Sequence, residues 1–172
     1  MKTSNTIKIR TALEKDLEKI IKIENEIERY PASYETLLSR LKMFNEGFLV
    51  AETNNEIVGY IESCLWKTKL FESFEEIKNF PELHNPLGDT LYVIFIAVDP
   101  KYQHQGIGSK LISSIIEIAN TKKVEKVQLV AKVGLENFYK KFGFIEVRTL
   151  PNFLYGEKGI LMEKYLERCK KK

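Results

Sequence analysis

The sequence predicts an α+β fold in which a mixed, mostly antiparallel sheet of about seven strands is flanked by about four helices. Strand-like runs and helical periodicities alternate in the order β-α-α-β-β-β-α-β-α-β-β. Some neighbouring strands are joined by short polar turns, as in hairpins, whereas others are separated by a helix, as in crossovers. No Gly-, Ser- or Pro-rich linker divides the 172 residues. We therefore expect one domain over residues 1–172, with its core at about 7–166 and a basic tail at 167–172.

The first half of the chain contains the signals of a strand, two helices and a hairpin. The predicted elements are a strand at 6–12, helices at 14–29 and from Ser33 to about Gly47, and strands at 48–53 and 57–66. The first strand alternates apolar and polar residues, and both helices repeat apolar residues at helical spacing. Pro31 closes the first helix, and Ser33 is the expected N-cap of the second. The polar turn NNE joins the last two strands in a hairpin.

The second half begins with a segment that lacks the periodicity of a regular helix or strand. Residues 67–88 are turn-rich around one short helical stretch, and an insertion of this length is more often functional or mobile than filler. The run TLYVIFIAV is apolar on both faces and rich in β-branched residues, as a central strand would be. The remaining predicted elements are strands at 90–98, 126–132, 144–150 and 159–166, a helix that begins near Ile107, and a short helix at 135–143.

Composition excludes several classes of protein. The net charge of +3 arises from 27 basic and 24 acidic residues, a balance too even to suggest a nucleic-acid partner. No apolar run approaches the roughly 18 residues that a membrane span needs, and the first residues lack the apolar core of a signal peptide. Cys64 and Cys169 lie far apart and form neither a metal-binding spacing nor a disulfide framework. These features predict a cytoplasmic protein with reduced thiols, no bound metal and no membrane partner.

The stretch VDPKYQHQGIGSKL, residues 98–111, is the most informative motif. Gly106 and Gly108 let the backbone turn sharply and let a ligand approach without a Cβ in the way. Unpaired N–H groups at the start of the following helix favour an anion, especially a pyrophosphate. The spacing fits neither a Walker loop nor a dinucleotide-binding fingerprint. A helix start that merely contains glycines is the plainer alternative.

Two motifs in order resemble the GNAT superfamily of N-acetyltransferases. The stretch QHQGIG matches the superfamily's acetyl-coenzyme A signature, and FYKKFGF, with Tyr139 and Gly143, matches a second element downstream. The resemblance implies a GNAT-like fold and acetyl-CoA as co-substrate. SCLW, LHNPLGD and FYKKFGF are further similar to the serotonin (arylalkylamine) N-acetyltransferase branch. That branch implies a primary amine acceptor, in particular a small aryl- or alkylamine.

The resemblance also implies the residues that hold the coenzyme. The pantetheine arm would pair with the end of the central strand, where a main-chain N–H would stabilise the oxyanion. The pyrophosphate would rest on N–H groups of the glycine motif. The implied cofactor-binding residues are Ile96, Ala97, Val98, Gln103, His104, Gln105, Gly106, Ile107, Gly108 and Ser109.

Proton transfer is where this sequence departs from the arylalkylamine branch. Tyr139 matches the family's general acid, although it also lies on an apolar helical face and could simply pack there. The branch's two histidines on the central strand correspond to Tyr92 and Ile94. An isoleucine cannot move protons, and Tyr92 could do so only within a water relay. Three other candidates for the base are Glu62, His84 and Glu24, each of which could instead be a hydrogen-bonded structural side chain.

Three functions stay open from the sequence: a small-molecule amine N-acetyltransferase, which is the leading hypothesis, a protein or peptide N-acetyltransferase, and a coenzyme A-binding sensor without catalysis. The acceptor wall is expected around residues 30–34 and 65–88. Aromatic residues that could line it, or could equally belong to the core, are Trp66, Phe71, Phe74 and Phe80. The strand edges near the C-terminus leave a homodimer open.

Overall fold

The computed structural model describes residues 6–167 and contains one seven-stranded mixed sheet. The strands lie in the order β1-β2-β3-β4-β5-β7-β6. β4 and β5 run parallel, whereas β1/β2, β2/β3, β5/β7 and β6/β7 are antiparallel pairs. The strands are β1 Lys8–Thr11, β2 Phe48–Thr53, β3 Glu56–Trp66, β4 Thr90–Val98, β5 Lys126–Lys132, β6 Ile145–Leu154 and β7 Glu157–Tyr165. The helices are α1 Leu17–Ile27, α2 Tyr34–Met43, α3 Phe80–Leu83, α4 Ile107–Lys122 and α5 Glu136–Lys140.

The predicted α+β class and seven-stranded mixed sheet are confirmed. The structure has a fifth helix, α3, between β3 and β4 that the predicted order lacked, and the other differences lie at element ends. α2 ends at Met43 because Phe44 leaves the helical conformation, with φ −151°, and residues 45–47 form a separate 3-10 turn. β6 and β7 extend to a two-residue turn in which Tyr155 and Gly156 have φ of +52° and +78°. Positive φ at both positions suits a tight hairpin. The predicted basic tail lies outside the described residues except for Glu167.

The described chain divides into two compact units. The first unit runs to Ser63 and resumes over Ile94–Ile118. Its core is formed by the inner faces of α1 and α2 and by residues from the strands. The buried members are Ala12, Leu17, Ile20, Ile23, Leu37, Leu41, Phe48, Val50, Ile57, Tyr60 and Ala97. The predicted N-cap is present, since the Ser33 side chain accepts a hydrogen bond from the Thr36 N–H at 3.1 Å.

The second unit contains Cys64–Val93 and the chain from Ala119 onward. Its centre is an aromatic cluster in which the Trp66 ring lies 4.4 Å from the Tyr92 ring, centroid to centroid. Phe71 and Phe80 each lie 5.9 Å from the same tyrosine ring. Segment 67–88 thus supplies buried core residues and is not merely a surface loop. Cys64 is also fully buried, whereas Cys169 lies outside the described residues.

Within residues 6–167, no helix is long and apolar enough to cross a membrane.

Candidate active site

The turn between β4 and α4 carries the glycine motif and is fixed from its first residue. Asp99 is buried, and its carboxylate accepts a hydrogen bond from the Lys101 N–H at 2.9 Å. Its own N–H donates to the Val58 carbonyl at 2.8 Å. The Gln103 side chain then donates to the Val98 carbonyl at 3.2 Å. These bonds set the path of the backbone as it leaves the central strand.

The loop itself is exposed and has the backbone form that an anion site requires. His104 and Gly106 have φ of +62° and +80°. A Cβ built on Gly106 would meet no atom within 4 Å, so the backbone faces open space there. The Lys110 N–H is the first to bond back, to the Gly106 carbonyl at 3.1 Å. The N–H groups of the preceding helical residues have no acceptor within the helix and remain available to a ligand.

The end of β4 is suited to pairing with an extended ligand. The β4–β5 ladder contains three residue pairs, Thr90 with Lys126, Leu91 with Val127 and Tyr92 with Gln128, and β4 continues to Val98. Ile96 and Val98 are half-buried and Ala97 is buried. The main chain beyond the ladder takes no part in pairing with β5, so it can pair with an arm such as pantetheine.

Gly59, which was not singled out from the sequence, allows β3 to lie close to β4. A Cβ at Gly59 would lie 2.9 Å from the Ala97 carbonyl oxygen and 3.2 Å from the Ile107 side chain. An isolated glycine inside a strand pattern is a signal of close backbone approach. The glycine therefore sets the distance between β3, the end of β4 and the start of α4.

Tyr139, the predicted general acid, is buried on α5 in the second unit. Its ring packs edge-on against Phe138 and Phe144, with centroids 5.0 and 6.0 Å away. Burial raises the pKa of Tyr139 to about 12. The phenol therefore stays protonated throughout the neutral range, and the same burial makes it a weaker acid than an exposed tyrosine.

The other titratable residues predicted for the site already have partners or are deeply buried. Glu62 is 1% exposed, and its Oε1 accepts from Arg40 at 2.7 Å. Burial raises the pKa of Glu62 against the effect of that guanidinium. Tyr92 is buried within the aromatic cluster, and this burial raises its pKa far above the usual value. His84 Nδ1 accepts the Leu65 N–H at 3.1 Å, and burial lowers the pKa of its ring.

Glu24, another candidate base, accepts hydrogen bonds through both of its carboxylate oxygens. Its Oε2 accepts the Ala32 N–H at 2.6 Å, and its Oε1 accepts a short hydrogen bond from the Tyr60 hydroxyl. Burial raises the pKa of Glu24, although both hydrogen bonds act in the opposite direction. Arg40 and Tyr60, the partners of the two glutamates, were not singled out from the sequence. A charged residue inside the apolar stripe of α2 was the available signal for Arg40.

The predicted site residues are divided between the two compact units. Glu24, Glu62 and all ten cofactor-binding residues belong to the first unit, and Tyr92, His84 and Tyr139 belong to the second. Of the aromatic residues proposed for the acceptor wall, Trp66, Phe71 and Phe80 are core residues, while Phe74 is half-buried. Tyr30 remains 53% exposed on the connection between α1 and α2.

Comparison with known proteins identifies the family. The family model described as Acetyltransferase (GNAT) family matches residues 14–144. The chain belongs to the GNAT family. An N-alpha-acetyltransferase of Sulfurisphaera tokodaii is 32% identical over 168 residues, which cover 94% of each chain. A second N-alpha-acetyltransferase, from Sulfolobus acidocaldarius, is 30% identical over 161 residues, covering 90% of this chain and 89% of the relative.

The GNAT fold is also found by structural similarity. The loading GNATL domain of CurA from Lyngbya majuscula aligns with a TM-score of 0.82 and 19% identity, over 94% of this chain and 98% of that domain. The fold prediction is therefore confirmed. Membership of the family likewise confirms that this GNAT protein is an acyltransferase, an N-acetyltransferase that uses acetyl-CoA as co-substrate.

Proposed function

We propose that this GNAT enzyme acetylates the α-amino group at the N-terminus of a peptide or protein. Full-length similarity to two relatives named N-alpha-acetyltransferase carries the proposal. The likeness to the arylalkylamine branch depends on a few short motifs and stays a prediction. A terminal α-amine therefore replaces the small aryl- or alkylamine as the acceptor that we favour.

The chemistry of the candidate bases supports an α-amine. An alkylamine with a pKa near 10 is neutral in roughly one molecule in a thousand at pH 7, whereas an α-amine with a pKa near 7.8 is neutral in roughly one in ten. Glu62 and Glu24 are buried and hydrogen-bonded, and His84 already accepts a hydrogen bond through Nδ1. An acceptor amine that is already partly neutral in water depends less on a general base, so these partnered side chains are better suited to it.

The first unit supplies the proposed coenzyme site. The diphosphate would accept hydrogen bonds from main-chain N–H groups between His104 and Ser109, at the open face of Gly106. The pantetheine arm would pair with the main chain of Ile96–Val98. A main-chain N–H on this strand would donate to the oxyanion that forms when the amine attacks the thioester carbon.

The proposed reaction forms a C–N bond and breaks the C–S bond of the thioester. Two protons leave an α-ammonium as it becomes an amide. One goes to solvent, and the equivalent of the other ends on the coenzyme A sulfur. Tyr139 would donate the proton that reaches the sulfur and would recover one from water. We assign Tyr92, Glu62 and His84 no direct step, because the Tyr92 hydroxyl and the Glu62 carboxyl group are deeply buried and the His84 ring already accepts a hydrogen bond through Nδ1.

A three-acceptor comparison tests the proposed function. The enzyme and acetyl-CoA are incubated with a peptide that has a free α-amine, with the same sequence carrying a blocked α-amine and an internal lysine, and with phenethylamine. Mass spectrometry locates the added acetyl group, and thiol release gives the rate. We expect the highest kcat/KM on the free α-amine. Transfer only to phenethylamine would overturn the proposal in favour of a small-molecule enzyme.

A further inference from the structure

Glu24 is a buried carboxylate that joins three elements of the first unit. It lies on α1, is 3% exposed, and accepts the Ala32 N–H from the connection between α1 and α2. Its second oxygen accepts the hydroxyl of Tyr60 on β3. One side chain therefore ties the connection, residues 28–33, to the helix before it and to the sheet.

The surroundings of Glu24 are not what stability alone would favour. Two buried carboxylates, Glu24 and Glu62, lie near one guanidinium, that of Arg40, which is bonded to Glu62 at 2.7 Å. The Oε2 of Glu62 is buried and has no hydrogen-bond partner in the described chain. Buried ionic groups of this kind are often less stabilising than apolar residues of similar size. A role beyond stability is therefore worth seeking for Glu24.

Contacts continue from Glu24 to the strand of the proposed coenzyme site. The Tyr60 ring is stacked near the Phe95 ring, with centroids 6.2 Å apart. Phe95 directly precedes Ile96, where the pantetheine arm is proposed to pair. In the other direction, Ala32 lies two residues after Tyr30, which is exposed and has the Arg29 guanidinium 5.3 Å from its ring centre.

We propose that Glu24 is a positioning residue for the acceptor, because it holds connection 28–33 in a fixed place relative to the end of β4. The inference rests on the proposed function, with the peptide lying against the exposed side of this connection. Glu24 touches neither acceptor nor coenzyme. Its effect is carried through the Ala32 amide on one side and through Tyr60 and Phe95 on the other.

Steady-state kinetics of four variants test this role. Glu24→Ala removes both hydrogen bonds, Glu24→Gln keeps an oxygen for the Ala32 N–H, and Tyr60→Phe removes only the hydroxyl. Glu26→Ala, at an exposed position on the same helix, is the matched control. We expect Glu24→Ala to raise the KM for the peptide at least tenfold while the KM for acetyl-CoA stays within twofold. Glu24→Gln and Tyr60→Phe should lie between this variant and wild type, and the control should match wild type.

Hydrogen exchange gives a readout that does not depend on the acceptor. The amides of residues 29, 30, 32 and 33 should exchange faster in Glu24→Ala and Tyr60→Phe, with unchanged exchange in α4. A lower melting temperature with unchanged KM values, or equal changes in both KM values, would overturn the proposal. If wild type acetylates only phenethylamine, the proposed function fails, and the same KM comparison on that amine then decides the role of Glu24.

Discussion

Tyr139 is packed like a core residue, and the proposed role as general acid would use only the hydroxyl at the tip of its ring. Its ring lies in an apolar environment between Phe138 and Phe144, as a core residue would. The same burial raises the pKa of the phenol to about 12, so that the hydroxyl keeps its proton in the range where the enzyme would work. The sequence predicted the position through its motif, but only the fold shows how deeply the ring is buried.

Replacement of Tyr139 by Phe separates the two roles. The phenylalanine keeps the ring contacts and loses only the hydroxyl, so the fold and acetyl-CoA binding should be retained. We expect kcat to fall about 100-fold, since general acid catalysis typically contributes at least that much. Thiol release measures kcat, and calorimetric titration with coenzyme A measures affinity. Wild-type turnover would show that water or another group protonates the sulfur.

Asp16 is a residue whose charge the fold stabilises. Arg10 donates two hydrogen bonds to the carboxylate, at 2.7 and 3.0 Å, and the Leu13 N–H donates a third at 2.8 Å. Burial by itself raises the pKa of Asp16, but these donors outweigh it and hold the pKa below its usual value. Folding thus favours the ionised form of this side chain.

The stability contribution of Asp16 should depend on pH in a defined direction. Because the pKa is lower in the folded state, the contribution is fully present above the unfolded pKa of about 3.9 and is lost as pH falls through the folded value. We expect Asp16→Asn to cost about 1–3 kcal/mol of unfolding free energy at pH 7. Urea unfolding from pH 7 down to pH 2.5 should show the difference from wild type shrinking. A constant difference would mean that the charge is not responsible.

At the residue scale, the sequence did not identify hydrogen-bond partners that come from a distant part of the chain. Glu62 and Glu24 were recognisable as acidic residues among apolar neighbours. Their partners, Arg40 and Tyr60, lie 22 and 36 residues away in the sequence. A carboxylate that is free to act as a base and one that is held by a donor look alike until the fold brings such donors together.

At the scale of elements, the β4–α4 turn was the most predictable part of the molecule. Its glycines, its buried strand and its helix start are local signals, and the structure has positive φ at Gly106. By contrast, the end of α2 at Met43 and the extension of β6 to Leu154 were not predicted. Helix and strand ends depend on capping and on register with neighbouring strands, which short-range patterns do not specify.

Gly106→Ala tests the anion site, and Gly156→Ala is its control. Both glycines have φ near +80°, and at both an added Cβ would meet no atom within 4 Å. Each substitution should therefore cost a similar strain, about 1–2 kcal/mol. Only the first would place a methyl group in the proposed path of the diphosphate. We expect coenzyme A affinity to fall at least tenfold in Gly106→Ala and to stay unchanged in Gly156→Ala, as measured by titration calorimetry.

Equal affinities of the two glycine variants for coenzyme A would contradict the proposed diphosphate position. Equal losses of stability in urea unfolding are needed for the comparison to be valid, since they show that the backbone strain is matched.

For the molecule as a whole, three elements contain residues of both compact units. β3 passes from one unit to the other after Ser63, β4 after Val93 and α4 after Ile118. Neither unit is therefore one continuous stretch of the chain. The single domain that the lack of a linker suggests stays a prediction.

Thermal unfolding should accordingly occur in one cooperative transition. Trp66 is the single tryptophan of the chain and reports on the second unit. Its fluorescence and the far-ultraviolet circular dichroism of the whole backbone should give the same midpoint, and the calorimetric and van't Hoff enthalpies should agree. Midpoints that differ between the two probes would show that the units unfold independently.

Because Cys64 is buried, the rate at which its thiol is labelled would measure how often the structure opens around it. A thiol reagent cannot reach a sulfur at 0% exposure, so modification must wait until β3 is uncovered. In a Cys169→Ser variant, Cys64 is the one remaining thiol, so the labelling rate would measure these openings directly. Acetyl-CoA should slow the labelling if the bound state is the more stable one.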